Sequence, residues 1–272
     1  MGIKDLLDGV AGAGRFSVWL GAVDGTPVFE HAAGERHYSA STMKLPVAVA
    51  MMRKVETGEL DLDQAVRVHE DFASAAPGER FRVDREEDDA PATWDHLGGE
   101  VTLGWLASEM ISRSSNLATN LVLELTGVRA AHEALAPRGP SAVRRGIDDT
   151  PARLAGISNE MTAVDLAAAL VAVGNDSAAS ADSCRYLRDL LAANHWNDQI
   201  PAGLPAGVRV EHKNGWDTGI RHDGGIIRPA DADPFVLVVM TSSDLPDDEA
   251  EQLIARIAGI AWEHRHDLGT VS

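Results

Sequence analysis

A serine and a lysine three residues apart, Ser41 and Lys44 in the stretch YSASTMKLPV, have the types and spacing of a nucleophile and its base. Residues at positions i and i+3 of a helix project from one face, so the amine can reach the hydroxyl. Lysine can lose its proton when its pKa is lowered, whereas arginine stays charged. Serine at a helix start is also a common N-cap. The spacing by itself therefore leaves an ordinary helix start and a catalytic pair both open.

Two further stretches carry polar side chains that suit acyl transfer. Ser114 and Asn116 lie in ISRSSNLATN, just before a predicted helix, and Lys213 and Gly215 lie in EHKNGWDTG, at the end of a predicted strand. Together with the first pair they give the order S-x-x-K, S-x-N and K-x-G on a helix, a loop and a strand. This order resembles the penicillin-recognising serine enzymes, the class A β-lactamases and DD-peptidases. The resemblance extends over nearly the whole chain.

The resemblance implies a role for each polar side chain. Ser41 would be the acylating nucleophile and Lys44 its base. Ser114 would pass a proton to the leaving nitrogen, and Asn116 would hold the substrate amide. Lys213 would bring positive potential to Ser114 and to a substrate carboxylate. No cofactor is implied, and the partner would be a small-molecule acyl substrate.

The same resemblance implies substrate contacts along the strand after Lys213. Gly215 would let the substrate backbone approach closely, and the N–H groups of Trp216 and Ser41 would form an oxyanion hole. Asn214 stands where the family has threonine and would donate a hydrogen bond to a carboxylate. Arg221 would anchor that carboxylate, with a solvated strand arginine as the alternative interpretation.

Besides Asn214, the chain departs from the family at two places. Ser115 replaces the aspartate of S-D-N, which we expect to alter the stability of the loop rather than the chemistry. The segment 143–163 lacks the E-x-x-L-N pattern, whose glutamate activates water against the acyl-enzyme in class A β-lactamases. Asp148, Asp149 and Glu160 are the acids nearby. We interpret each as a loop or cap residue in preference to a replacement for that glutamate.

Strands and helices are predicted in an order that fits this resemblance. The hairpin signal is FSVWLGAVDGTPVFEH, residues 16–31, with its turn at Asp24-Gly25. Further strands are predicted at 208–214, 220–228 and 235–241, and helices at 3–11, 41–56, 103–111, 117–125, 162–174, 183–193 and 247–265. Residues 70–100 are predicted as a loop.

We therefore expect an α/β (α+β) fold of the β-lactamase/transpeptidase type, with an antiparallel five-stranded sheet between terminal helices and an all-helical lobe. Residues 1–40 and 200–272 would form the α/β lobe and residues 41–199 the helical lobe. The active site would lie between the two lobes.

Charge and composition exclude several function classes. The chain has 24 Lys+Arg against 42 Asp+Glu, a formal charge of -18, which disfavours binding to nucleic acid. Its apolar runs are too short for a membrane span or a secretory signal, so we expect a cytoplasmic protein, with a secreted protein whose signal has been removed as the alternative. A monomer is favoured. The single Cys184 cannot form an intrachain disulfide and is expected to be buried.

Other polar groups give no second site. His264 and His266 diverge on a helix, so a metal site is not expected. His222 and Asp223 point to opposite faces of a strand, and one of them is expected to face the groove. The acidic run at 86–89 is interpreted as a solvated loop.

The function expected from these residues is that of a serine hydrolase, which cleaves an amide, ester or β-lactam through an acyl-enzyme on Ser41. Two alternatives stay open because the E-x-x-L-N glutamate is missing. One is a cytoplasmic acyltransferase of small-molecule biosynthesis, and the other is a slowly deacylating penicillin-binding or sensor protein.

Overall fold

The computed structural model describes residues 2–137 and 139–268 of the chain. Its strands are β1 (Gly14–Ala22), β2 (Pro27–His31), β3 (His37–Tyr38), β4 (Ala65–Arg67), β5 (Asp71–Ala73), β6 (Arg80–Arg82), β7 (Glu100–Thr102), β8 (Glu160–Met161), β9 (Arg209–Asp217), β10 (Ile220–Arg228) and β11 (Phe235–Ser243). Its α-helices are α1 (Ile3–Val10), α2 (Lys44–Glu56), α3 (Pro91–Trp94), α4 (Leu103–Ser112), α5 (Asn116–Thr126), α6 (Val128–Leu135), α7 (Thr150–Leu154), α8 (Ala163–Gly174), α9 (Ala181–Ala192) and α10 (Asp247–Glu263).

The two ends of the chain build one antiparallel sheet of five strands, in the order β2-β1-β11-β10-β9. β1 pairs with β11 along its whole length, from Gly14 opposite Ser243 to Ala22 opposite Phe235. β2 returns beside β1 after a turn in which Gly25 has a φ of 93°, a conformation open to glycine. The predicted fold class is confirmed, and β9, which carries the K-x-G triplet, lies at the sheet edge.

Both faces of the sheet are covered by helices. The side chains of β11 alternate between the two faces, as the period of two in a strand requires. Leu237 and Val239 pack with the terminal helices α1 and α10. Val238 and Met240 belong to the larger core that contains α2, α4, α5 and α8. The helices of the middle of the chain thus cover the face of the sheet opposite α1 and α10, and α9 lies against the edge strand β9.

The chain differs from the sequence prediction mainly in the short elements. The segment 70–100 contains β5, β6 and α3, and the helices α6 and α7 were not predicted. These elements have at most eight residues each, too few for periodicity to reveal them. No helix within the described ranges is long and apolar enough to cross a membrane. The proposed lobe boundaries remain a prediction.

Candidate active site

Ser41 lies on a 3₁₀ turn, Ala40–Met43, that leads directly into α2. A 3₁₀ helix has three residues per turn, which aligns Ser41 with Lys44 more closely than an α-helix would. The turn packs against β9 at Gly215, where an added Cβ would lie 2.7 Å from Ser41 N. The turn that carries the nucleophile therefore requires glycine there, a reason the sequence did not show; the close approach of the substrate backbone to Gly215 stays a prediction.

Lys44 is fully buried at the start of α2. Its Nζ donates to the carbonyl oxygen of Ser114 at 2.6 Å, to Ser114 Oγ at 3.2 Å and to Asn116 Oδ1 at 2.9 Å. Three acceptors match the three protons of an ammonium group. Burial lowers the pKa of Lys44 to about 8, against the carboxylates of Asp88, Asp148 and Asp89, which raise it. A neutral amine is therefore accessible near neutral pH.

Ser114 forms hydrogen bonds with both Lys44 and Lys213. Its Oγ accepts hydrogen bonds from Lys44 Nζ and, at 3.1 Å, from Lys213 Nζ. Lys213 is also fully buried, and burial together with the charge of Lys44 lowers its pKa well below the usual range. Ser114 has a φ of 61°, a strained conformation for a residue other than glycine, of the kind found at functional sites. The Ser114 hydroxyl thus lies between two amines, and the pKa of each is lowered by burial.

These groups lie at the wall of a cavity of about 240 Å³ between the 3₁₀ turn, the end of β9 and the loop before α5. Among the described residues, its lining contains Ser41, Ser114 and four carboxylates, but no lysine or arginine. The lining residues are Tyr38, Ala40, Ser41, Glu87, Asp89, Ser114, Asn116, Ile147, Asp148, Trp216 and Asp217.

Asn116 and Trp216 both line the cavity, and their contact with substrate stays a prediction. Asn116 lines the cavity, and its Oδ1 is held by Lys44, so its Nδ2 is oriented toward Asp148, 3.4 Å away. Trp216 follows Gly215 on the edge strand, and its ring packs edge-on against Trp196 with ring centroids 5.1 Å apart. Because Gly215 packs against Ser41 N and Trp216 is the next residue, Ser41 and Trp216 lie close together in the lining of the cavity.

The structure corrects two of the predicted substrate contacts. Arg221 turns to the opposite face of the sheet, where its guanidinium pairs with Asp247 at 2.6 Å and Glu251 at 3.2 Å on α10. Asn214 is buried, and its Nδ2 donates to Trp196 O at 3.3 Å. Neither side chain lines the cavity. Spacing along the sequence determines neither the face of the sheet to which a long side chain turns, as for Arg221 on β10, nor the loop that covers a short one, as for Asn214 on β9.

In the acidic run at 86–89, Glu86, Glu87 and Asp89 are exposed, as predicted, but Asp88 is not. Asp88 is buried, and its carboxylate accepts hydrogen bonds from Trp94 Nε1 at 3.0 Å, Ser115 Oγ at 3.2 Å and Leu117 N at 2.9 Å. Ser115 in turn caps α5 by accepting from Ala118 N. Asp88 thus supplies from another segment a carboxylate that braces the loop of Ser114. The serine in place of the S-D-N aspartate was the signal that could have revealed it.

Among the three acids of the 143–163 segment, Asp148 differs from the other two. Asp149 caps α7 and accepts from Ser74 Oγ, and Glu160 pairs with Arg144. Asp148, in contrast, lines the cavity with a φ of 62°. Burial raises the pKa of its carboxyl to about 6, although Lys44 opposes the shift. Of the three acids, Asp148 is the one that lines the cavity together with Ser41.

His222 and Asp223 point to opposite faces of β10, as predicted, but neither lines the cavity. His222 Nε2 lies 2.8 Å from Tyr38 O, and Asp223 pairs with the buried His212 at 3.0 Å. Cys184 is buried. Among the described residues, no group of three or more His, Cys, Asp or Glu side chains could hold a metal ion.

Comparisons with known proteins agree with this arrangement. The profile of the "Beta-lactamase enzyme family" (Beta-lactamase2) matches residues 2–265. A β-lactamase from Amycolatopsis lactamdurans is 30% identical over 236 residues, which are 84% of this chain and 73% of that protein.

Solved structures extend the match to the fold. A β-lactamase from Sphaerobacter thermophilus superposes with a TM-score of 0.82 at 28% identity, over 97% of each chain. An ancestral class A β-lactamase of Gram-negative bacteria gives a TM-score of 0.79 at 25% identity, over 96% of this chain and 97% of that one. The chain belongs to the beta-lactamase enzyme family and is a serine hydrolase of the class A type.

Proposed function

We propose that Ser41 attacks the carbonyl carbon of an amide, ester or lactam and forms an acyl-enzyme. Lys44, three residues along the same turn, accepts the Ser41 proton when its buried amine is neutral. The N–H groups of Ser41 and Trp216 would stabilise the oxyanion, since hydrogen-bond donors aimed at developing charge lower the barrier to acyl transfer. The adjoining Ser41 and Gly215 backbones support this assignment.

The proton then has a path to the leaving group. Lys44 Nζ lies 3.2 Å from Ser114 Oγ, which lies 3.1 Å from Lys213 Nζ. Ser114 can therefore donate its proton to the leaving nitrogen or oxygen and recover one from Lys44. Lys213 holds the Ser114 hydroxyl in place and offsets the negative charge that develops during the transfer.

Hydrolysis needs a base for water, and we assign this role to Asp148. The observation that carries the assignment is that the Asp148 carboxylate and Ser41 line one cavity. Asp148 would take a proton from water as the water oxygen attacks the acyl carbonyl. The ester bond would then break, and Ser41 Oγ would leave with the proton that Asp148 returns, which restores both groups. A carboxyl with a pKa of about 6 is largely ionised at pH 7 and still basic enough to act.

The test uses a chromogenic lactam and an acyl thioester, each with and without an amine acceptor, with the mass of the intact protein followed over time. We expect a transient adduct and steady release of acid that does not depend on the amine. Turnover that requires the amine would indicate an acyltransferase, and an adduct that persists would indicate a sensor. Either result would overturn the proposed hydrolysis.

Two serine variants make the test specific. Ser41→Ala should abolish both the adduct and turnover. Ser39→Ala is the matched control, because Ser39 precedes the same turn and its hydroxyl donates to Ala40 O instead of lining the cavity. Activity in Ser41→Ala equal to that of Ser39→Ala would refute Ser41 as the nucleophile.

We also propose that the protein is cytoplasmic and monomeric. The first proposal is tested by fractionation of cells that produce it, and the second by light scattering of the purified protein. Recovery outside the cytoplasm, or a mass of two or more chains, would contradict them.

A further inference from the structure

The charge of the Ser41 cavity is opposite to what an anionic substrate would need. Four carboxylates line it, those of Glu87, Asp89, Asp148 and Asp217. The site itself is identified by Ser41 and the proposed acyl transfer, and not by these carboxylates. They determine the charge that the bound part of a substrate meets.

The cations near the cavity do not balance these carboxylates. Lys44 and Lys213 lie beneath it, fully buried, with their Nζ atoms hydrogen-bonded to Ser114, Asn116 and Asn214. Even with both amines protonated, two cations would face four carboxylates, and burial lowers the pKa of both lysines.

The expected anchor for a substrate carboxylate is also missing from the cavity. Arg221 is the residue that the sequence suggested, and it is paired with Asp247 and Glu251 on the far side of the sheet. An anion placed beside Ser41 would therefore meet like charges without a surface cation to offset them, an arrangement that disfavours it strongly.

An adjoining cavity of about 450 Å³ does have arginines in its lining. It shares Tyr38, Glu87, Asp148 and Asp217 with the first cavity. Of its three arginines, Arg145 is buried and donates to Tyr38 Oη, Gly146 O and Ile157 O. Arg82 pairs with Glu70. Arg153 lines the cavity as well. An anionic group of the same substrate would have to extend this far from Ser41.

We infer that the acyl substrate carries a positive charge, such as an alkylammonium group, in the part that occupies the Ser41 cavity. The inference rests on the proposed acyl transfer and names the substrate class for it. Glu87 and Asp217 are the carboxylates at the mouth that would select the cation, because both are exposed and both also line the adjoining cavity.

The test is a set of three arylacetyl thioesters that differ in one para substituent: aminomethyl, hydroxymethyl or carboxylate. We expect kcat/KM to fall in that order, by at least about tenfold from the cation to the anion at low salt. The ratio should shrink at 1 M salt, where the screening length is only about 3 Å. A kcat/KM for the anion equal to or above that for the cation overturns the inference.

Two double variants separate the cavity from the general negative charge of the protein. Glu87→Gln with Asp217→Asn should lower the cation-to-anion ratio several-fold. Glu86→Gln with Asp63→Asn removes the same charge from exposed residues that do not line the cavity, and should leave the ratio unchanged. Equal effects in the two double variants would refute the role of Glu87 and Asp217.

The failure of this inference is distinguishable from the failure of the proposed function. Acylation of Ser41 by all three thioesters without charge preference overturns the inference and leaves the acyl-enzyme intact. Absence of a Ser41 adduct with all three overturns both.

Discussion

Replacing Asp148 by asparagine should trap the acyl-enzyme. The variant keeps the size of the side chain and its hydrogen-bonding distance to Asn116, which is 3.4 Å in the wild type, but removes the base. General base catalysis contributes about 10²- to 10⁴-fold, equivalent to about 3–5 kcal/mol of barrier. We therefore expect deacylation at least a hundredfold slower in Asp148→Asn, while acylation changes little.

The pH dependence of deacylation supplies a second measure. The pKa of Asp148 is raised to about 6 by burial, and the base is the ionised form. Deacylation should therefore rise with pH through about 6 and fall about tenfold per unit well below it. In Asp148→Asn this limb should disappear.

The assay is rapid quenching followed by intact mass, from pH 5 to 8. Glu160→Gln is the matched control, an acid of the same segment that pairs with Arg36 and Arg144 and does not line the cavity. Hydroxylamine, which attacks esters without a base, should release the trapped acyl group. The assignment is refuted if Asp148→Asn deacylates within about threefold of the wild type and keeps the same pH profile.

Three further outcomes follow from buried groups. Acylation measured as kcat/KM should rise with pH and level off above about 8, because the neutral form of Lys44 is the base; a flat profile between pH 6 and 8 would contradict this. Asp88→Asn should lower the free energy of unfolding, measured in urea, by about 2 kcal/mol, because the amide cannot accept all the hydrogen bonds of the carboxylate. The exposed control Glu86→Gln should change it by less than about 0.5 kcal/mol. Equal effects of the two substitutions would argue against the bracing of the loop by Asp88. Burial lowers the pKa of His222 from 6.5 to about 4, so the unfolded state binds the proton at a higher pH than the folded state does. The free energy of unfolding should therefore fall as the pH drops from about 6.5 to about 4, by up to about 3 kcal/mol. In His222→Asn, urea unfolding should show that this part of the pH dependence is lost.

Much of the fold could be predicted because its long elements carry strong patterns. β10 and β11 begin where alternation and apolar runs placed them, and α8 and α10 have the expected ends to within two residues. The five-stranded sheet followed from strands at both ends of the chain with short connections between the last three. Short elements such as β5 and α7 depend on tertiary contacts and leave no periodic signal.

The site was predictable where one triplet places several groups on one turn or strand. Ser41 and Lys44 share a turn, and the structure brings Ser114 and Lys213 to them. Asp88 was missed because its partners lie up to 29 residues away, a distance across which the sequence shows no pattern.

The direction of a side chain was the harder question. Arg221 has the expected spacing after the K-x-G triplet, yet its guanidinium reaches the carboxylates of α10. Asp148 looked like a loop acid, yet its positive φ of 62° accompanies a side chain that lines the cavity. Such directions depend on the opposing elements, and these are known only once the chain has folded.

The most direct test of the acyl-enzyme is to locate the acyl group itself. Wild-type protein and Asp148→Asn would be quenched in acid during turnover of a thioester, digested with a protease and mapped by mass spectrometry. We expect one acylated peptide, with the acyl group on Ser41 and with greater occupancy in Asp148→Asn. An acyl group on another residue, or continued turnover with no acylated peptide in either protein, would contradict this prediction.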